Sequence, residues 1–318
     1  MSSPLKPRHG ALLGLTAVCA LVMVTVGRHA TPQQRMTLAP VVDRGTEALK
    51  AVDEVGLTLT RLSPEEVAQL DEDIQARFHF REGDASPAFE RDQRYVRGIY
   101  ATLGAFNDLP PGTHLRLVVE DAPNAFALPG GTILVTTGMV ALCANEAELA
   151  EVIAHEVGHH KLGHPLARLQ YERAARKLGG PLLKDLATLG YTLYSRGYSA
   201  RDEEEADRQG LALAGRANYH PQAVQKLMAR MQTRFGRPES APSNVVEETA
   251  DAASTALMNY FATHPPFPDR ILKLERARVE LGLDLEERRW FLGTLNHQER
   301  VSANERERPE DFLLGKLK

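Results

Sequence analysis

From residue 63 onward the chain switches between helical and strand periodicity, and the order of the switches outlines a fold. "SPEEVAQLDEDIQARF" has helical spacing, with Ser63 as cap and Glu66 placed to close a capping box. "DASPAFERDQRYVRGIYATLGAF" repeats that period and stops before "NDLPPGTH", a turn rich in proline and glycine. "HLRLVVED" then alternates, setting Leu115, Leu117 and Val119 on one face of a strand. A second and third strand follow in "NAFALPGGTILVTTGMVAL", folded about the Pro129-Gly130-Gly131 turn. Helical spacing returns where Asn145 and Glu148 mark an N-terminus, and Leu149, Ile153 and Val157 form one buried stripe. "SARDEEEADRQGLALAG" is a further helix, and 236–254, "GRPESAPSNVVEETADAAS", has the composition of a mobile loop. The remainder reads as helical and increasingly charged, with 285–318 as a charged helical tail. Helices, a small sheet, then helices, with no internal repeat, predict an α+β domain over 31–284 in which a small sheet lies beside the helix at 145–164.

The first thirty residues follow another rule. After the basic start "MSSPLKPRHG" comes an uncharged apolar run, 11–27. It is long for the core of a signal peptide and short for a comfortable membrane span. Arg28 and His29 stand where a cleavage site needs small residues, and Val18 stands where lipid attachment at Cys19 needs one. The run is therefore read as an uncleaved signal anchor in preference to a cleaved signal peptide. Lys6 and Arg8 keep the N-terminus cytoplasmic and place the body outside the inner membrane, although Arg28 and Arg35 oppose this. A later apolar stretch, 179–198, carries Lys184 and Asp185 and is too short to be a second span.

Charge narrows the partners. With 38 basic and 42 acidic residues the chain lacks the basic excess of a nucleic-acid binder. Its two cysteines, Cys19 in the apolar run and Cys143 in the body, allow no disulfide within an exported domain, and Cys143 reads as a small core residue.

The candidate chemistry lies in "HEVGHHKLGH", 155–164, which holds two His-x-x-x-His pairs, His155/His159 and His160/His164. Residues four apart share a helix face, so either pair can grip one cation. Only the first has an acid after its first histidine. Zinc lowers the pKa of a bound water to about 7, and Glu156 is placed to accept its proton as it attacks a carbonyl. Lys161 holds the equivalent place in the second pair, where a cation repels the metal and cannot act as base. Chance alone produces H-E-x-x-H in about one such chain in a hundred, so further support is needed. The motif lies on a capped amphipathic helix, and Gly158 permits close packing before the second ligand. A small sheet precedes it, and zinc peptidases bind extended substrate as an added edge strand. A catalytic zinc needs a third protein ligand, and the carboxylates of "RDEEEADRQG" are the candidates. Glu203, Asp207 and Gly210 share one stripe with Ala206, which turns acid toward the packed side of that helix. Asp207 is placed to accept the spare ring N–H of a zinc-bound histidine. His160 and His164 are read as solvated or bonded within the core.

Four motifs, "NAFALPGG", "ELAEVIAHEVGHHKLGH", "EEEADRQG" and "THPPFPDRI", occur in the order seen in the HtpX/BepA type of zinc metallopeptidase. The chain resembles that family, which includes the CAAX prenyl endopeptidases and the Oma-type mitochondrial peptidases, over about residues 85–285. The resemblance implies a zincin-like domain with one zinc ion, and it picks Glu203 of the E-x-x-A-D pattern as third ligand beside His155 and His159. It further implies that His264 approaches the site to stabilise the oxyanion or to cap the metal at rest. Arg270 would bind a substrate carbonyl or the oxyanion, and Asn124 would hydrogen-bond the substrate backbone.

Departures from the family place the chain within it. The HtpX and prenyl-endopeptidase branches carry several membrane spans, whereas this chain has at most one. BepA-like members carry a C-terminal helical repeat array, for which the residues after Leu283 are too few. The expectation is a zinc endopeptidase of the bacterial cell envelope, anchored by its N-terminal segment with the catalytic domain in the periplasm, or exported and soluble, acting on unfolded or damaged proteins. A zinc-stabilised chaperone or binding module with little turnover is the alternative, and the presence of Glu156 argues against it.

Overall fold

Helix caps and one tight turn lay out the architecture of the computed structural model, which describes residues 62–77, 86–170, 198–235, 264 and 269–317. The apolar run 11–27, the loop 236–254 and nearly all of the stretch 179–198 lie outside the described residues. Among the described residues no helix is long and apolar enough to cross a membrane.

At helix α1 (Pro64–Arg77) the expected capping box forms: the Glu66 N–H donates to Ser63 Oγ at 3.2 Å and the Ser63 N–H to Glu66 Oε2 at 2.9 Å. Helix α2 (Pro87–Ala105) starts at Ser86, whose hydroxyl accepts from the Phe89 N–H. Strands β1 (His114–Val118), β2 (Ala125–Ala127) and β3 (Thr132–Thr136) form one mixed sheet in the order β1-β3-β2, with β1 parallel and β2 antiparallel to β3. Leu115 and Leu117 are buried as their alternation predicts, but Val119 is exposed. The reason is local. Beyond Val118 the backbone leaves the ladder, as Glu120 N–H donates to Thr137 Oγ1 at 3.1 Å and Gly138 N–H to Glu120 O at 2.8 Å. The end of the expected third strand is instead helix α3 (Thr137–Leu142), capped by Thr136.

Helix α4 (Glu146–Lys161) begins where Asn145 Oδ1 accepts from the Glu148 N–H at 3.0 Å. Its stripe of Leu149, Ile153 and Val157 is fully buried in one cluster with Tyr95, Ile99 and Leu103 of α2, Ile133 and Val135 of β3, and Cys143. Burying each large aliphatic side chain contributes roughly 1.5–3 kcal/mol, so this stripe anchors the helix. On its other side α4 packs chiefly against α5 (Ala200–Arg216). Helices α6 (Ala223–Phe235) and α7 (Arg270–Glu280) pack beside these two. The result is an α+β fold, mainly helical, with a three-stranded sheet along the central helix.

The described residues of 285–318 do not form the charged helical tail expected from their composition. Strand β4 (Trp290–Phe291) pairs antiparallel with β5 (Phe312–Leu313), and between them lie a short helix α8 (Thr294–Glu299) and a 3-10 turn at Pro309–Asp311. Arg and Glu favour helix locally, but the tertiary contacts override that preference. Trp290 and Phe291 are buried, and the carbonyls of Gly293 and Leu292 accept the Glu146 and Ala147 N–H groups at 3.2 and 3.0 Å. The C-terminal segment thereby supplies acceptors for the orphan donors at the head of α4.

That junction carries a pH dependence. Glu146 is fully buried, accepts from Tyr219 Oη and the Ala303 N–H, each at 2.9 Å, and is pushed by burial to a pKa of about 7. An acid raised in the folded state stabilises fully below its ordinary pKa of 4.5, and that stability is lost as pH rises through about 7. The full swing is about 3 kcal/mol. Urea unfolding should therefore show the wild type losing stability relative to Glu146→Gln between pH 4.5 and 8, and a pH-independent difference would refute the assignment.

Candidate metal centre

Two helices meet closely enough to put side chains from each on one point. A Cβ at Gly210 of α5 would lie 2.9 Å from the His155 backbone nitrogen, and one at Gly158 of α4 would lie 2.9 Å from the Ala206 carbonyl oxygen. With hydrogen at both positions the backbones nearly touch. Glu203, two turns before Gly210, then reaches His155 and His159, which stand one turn apart on α4.

The three metal-ligand candidates converge. His155 Nε2 lies 3.0 Å from His159 Nε2, and Glu203 places Oε2 3.6 Å from the first and Oε1 3.5 Å from the second. Two ligand atoms on one tetrahedral zinc ion are about 3.3 Å apart, given bonds of 2.0–2.1 Å. His264 adds a fourth atom: its Nδ1 stands 3.4 Å from His155 Nε2 and 2.9 Å from Glu203 Oε1. These four side chains are buried and form a cluster able to hold a metal ion. His264 also reaches the sheet, as its Nε2 donates to the carbonyl of Ala125 at 3.2 Å. Asn124, just before, is buried, and its backbone pairs with Thr136.

Glu156 is fully buried beside the cluster, its carboxylate approached by the Ala127 backbone N–H. His264 Nε2 is 3.3 Å from its Oε1. Burial pushes the Glu156 carboxyl above its ordinary pKa, and His264 and His155 only partly oppose this. Burial likewise holds His159 well below the usual imidazole value, hence neutral with a free ring lone pair. Burial would raise Glu203 too, but the Arg270 guanidinium and His264 hold it well below the usual carboxylate range.

Behind the cluster stands a second layer. Asp207 Oδ1 is 3.0 Å from His155 Nδ1, the ring nitrogen turned away from the other ligands. Arg270 grips Asp207 twice, Nε to Oδ2 at 2.6 Å and Nη2 to Oδ1 at 2.7 Å, and places Nη1 2.8 Å from Glu203 Oε2. All three of its nitrogens thus face carboxylates. The expected partner was a substrate carbonyl or oxyanion, and the difference follows from position: Arg270 opens α7, which packs on α5 behind the two acids.

Two further side chains meet His159; the sequence marks His164, as solvated or bonded within the core, but gives no sign of Tyr198. Tyr198 stacks on His159 with ring centroids 3.9 Å apart, and His164 Nδ1 meets His159 Nδ1 at 2.9 Å. Tyr198 precedes the N-cap Ser199 of α5 and carries no sequence signal. His164, five residues after His159, lies off the helical period, and a turn brings it back.

Comparison with known proteins gives the chain's relatives. Over 203 residues the chain is 30% identical to the mitochondrial metalloendopeptidase OMA1 of Schizosaccharomyces pombe, covering 61% of this chain and 54% of that protein. It is 29% identical over 240 residues to a protease HtpX homolog of Methylibium petroleiphilum, covering 64% and 80%. To the beta-barrel assembly-enhancing protease of Yersinia pestis it is 32% identical over 192 residues, covering 54% and 39%. The chain thus spans about half the length of the OMA1 relative. Residues 90–278, more than half of the chain and the whole of the metal cluster, match peptidase family M48, to which this protein therefore belongs.

Proposed function

We propose that the chain is a zinc-dependent endopeptidase in which His155, His159 and Glu203 hold the metal and Glu156 is the general base. The observation that carries this reading is the spacing of the ligand atoms, 3.0 to 3.6 Å, with the fully buried Glu156 carboxylate beside them. Neutral imidazoles and one carboxylate are a zinc donor set, and a closed structural site has no use for Glu156. Bound there, zinc supplies Lewis acidity that lowers the pKa of a water to about 7 and polarises the scissile carbonyl. Glu156 takes the proton from the attacking water and later returns it to the leaving amine; its raised pKa suits both steps. Asp207 holds His155 in the tautomer that presents Nε2, and Arg270 keeps Asp207 and Glu203 ionised.

Among the described residues strand β2 is an edge of the sheet, and an extended substrate backbone would add along it, next to Asn124, with the Ala125 carbonyl as acceptor once His264 leaves it. Such a site demands extended backbone more than sequence, which supports unfolded or damaged proteins of the bacterial envelope as substrates. The apolar run 11–27 supports attachment to the inner membrane with the catalytic part in the periplasm. His264 fills the fourth corner of the cluster and takes the Ala125 carbonyl, so it caps the site in this form.

The test is metal analysis with proteolysis. One zinc per chain is expected, with cleavage of unfolded casein that stops on chelation and returns with zinc; cleavage of folded targets alone would refute the substrate class. His264→Ala should raise the rate several-fold, and a large fall would assign His264 to the oxyanion instead. A chain that binds zinc but cleaves nothing would favour a zinc-stabilised binding module.

A further inference from the structure

We propose that His164 is a positioning residue for the metal: it accepts a hydrogen bond from His159, fixes that ligand's tautomer, and turns its other ring nitrogen toward Glu205 and Asp202. The inference rests on the zinc reading above and extends it to residues which that reading leaves without a role. His159 turns Nε2 toward His155 and Glu203, so the proton of its neutral ring sits on Nδ1. The Nδ1 of His164 lies 2.9 Å away and must therefore accept. The remaining proton of His164 then sits on Nε2, which faces Glu205 Oε2 at 3.4 Å and Asp202 Oδ1 at 3.8 Å. The row of rings ends facing two anions, which favours the His164 proton on Nε2. His155 has a carboxylate directly behind it in Asp207; His159 has an imidazole backed by two.

The backbone is built for this contact. α4 ends at Lys161, and Gly163, with φ +72°, reverses the chain so that His164 turns back over the last helical turn. His164 is buried and His159 fully so, which shields the bond from water. The outer acids are also held. Asp202 takes part in the capping box with Ser199 at the start of α5, and Glu205 Oε1 accepts from Arg201 Nε at 2.8 Å. Because Asp202, Glu205 and the ligand Glu203 belong to one helix, the third ligand and the brace on the second are placed by a single element.

His164, Asp202 and Glu205 also satisfy the spacing of a metal site of their own. The experiment separates the two roles. Zinc stoichiometry and affinity, by competition with a chromophoric chelator, are measured for wild type, His164→Ala and His164→Asn, with the melting temperature of each metal-free protein. Positioning predicts one zinc per chain throughout, a 10–100-fold loss of affinity in His164→Ala, and recovery to within a few-fold in His164→Asn, whose amide oxygen can accept from His159. A purely structural role predicts no such rescue, with affinity tracking melting temperature. Two zinc ions in the wild type, one of them lost in His164→Ala, would overturn the proposal in favour of ligation. Unchanged affinity in His164→Ala would overturn it outright. A wild type that binds no zinc would remove the metal reading itself and this inference with it.

Discussion

Glu156→Gln should lower kcat/KM on unfolded protein by about 10²–10⁴-fold while zinc content stays at the wild-type level. Glutamine has nearly the same shape but cannot take the proton from the attacking water. The metal should remain because Glu156 is outside the set of converging ligand atoms. Stability should not fall and is expected to rise. In the metal-free wild type the Glu156 carboxylate is fully buried, and burial raises its pKa, so its charged form is disfavoured where it sits. A neutral amide removes that cost. Proteolysis, zinc analysis and thermal melting on one preparation give three readouts, and activity within tenfold of wild type would remove Glu156 from the mechanism.

Arg270→Ala carries the largest expected effect on stability, about 3–5 kcal/mol in the metal-free protein. The guanidinium is buried and faces two buried carboxylates, Asp207 and Glu203, and its removal takes away the strongest opposing charge of both. Lysine should restore little, because one ammonium cannot reproduce a planar fork that spans two acids. The sign with pH follows from the shifts. Burial alone would raise both acids, but Arg270 holds both below their ordinary values of 4.5 and 3.8. Their contribution is present above those values and is lost as pH falls through the depressed ones. The gap between wild type and Arg270→Ala in urea unfolding should thus be widest near neutrality and close toward strong acid. A gap that is small and flat with pH would contradict the clamp.

How much of this was legible in the chain depends on how far apart the interacting groups lie. Helix α4 was readable throughout, because its cap, its buried stripe and the His155-Glu156-x-x-His159 spacing are all within one or two turns of each other. The strands around the Pro129 turn were readable for the same reason. The segment after Leu283 was misread as helix because its Arg and Glu residues express a local preference. What decides its shape is remote: the Asp311 carboxylate accepts the Leu295 and Asn296 N–H groups at 2.7 and 3.2 Å, and the segment's carbonyls cap α4. Val119 was misplaced because the end of a strand depends on what the next residues bond to.

The sequence by itself determined the periodic elements, the acid beside the first histidine pair and the stripe that turns acid toward the packed face of α5. These are consequences of helix geometry and of side-chain chemistry at fixed spacing. Only the tertiary structure decided which atoms share a point: that the glycine contacts of α4 and α5 carry Glu203 to the imidazoles, that Arg270 faces acids, and that His164 turns back on His159. Those contacts join groups separated by a loop or by tens of residues, and no local pattern encodes a direction in space.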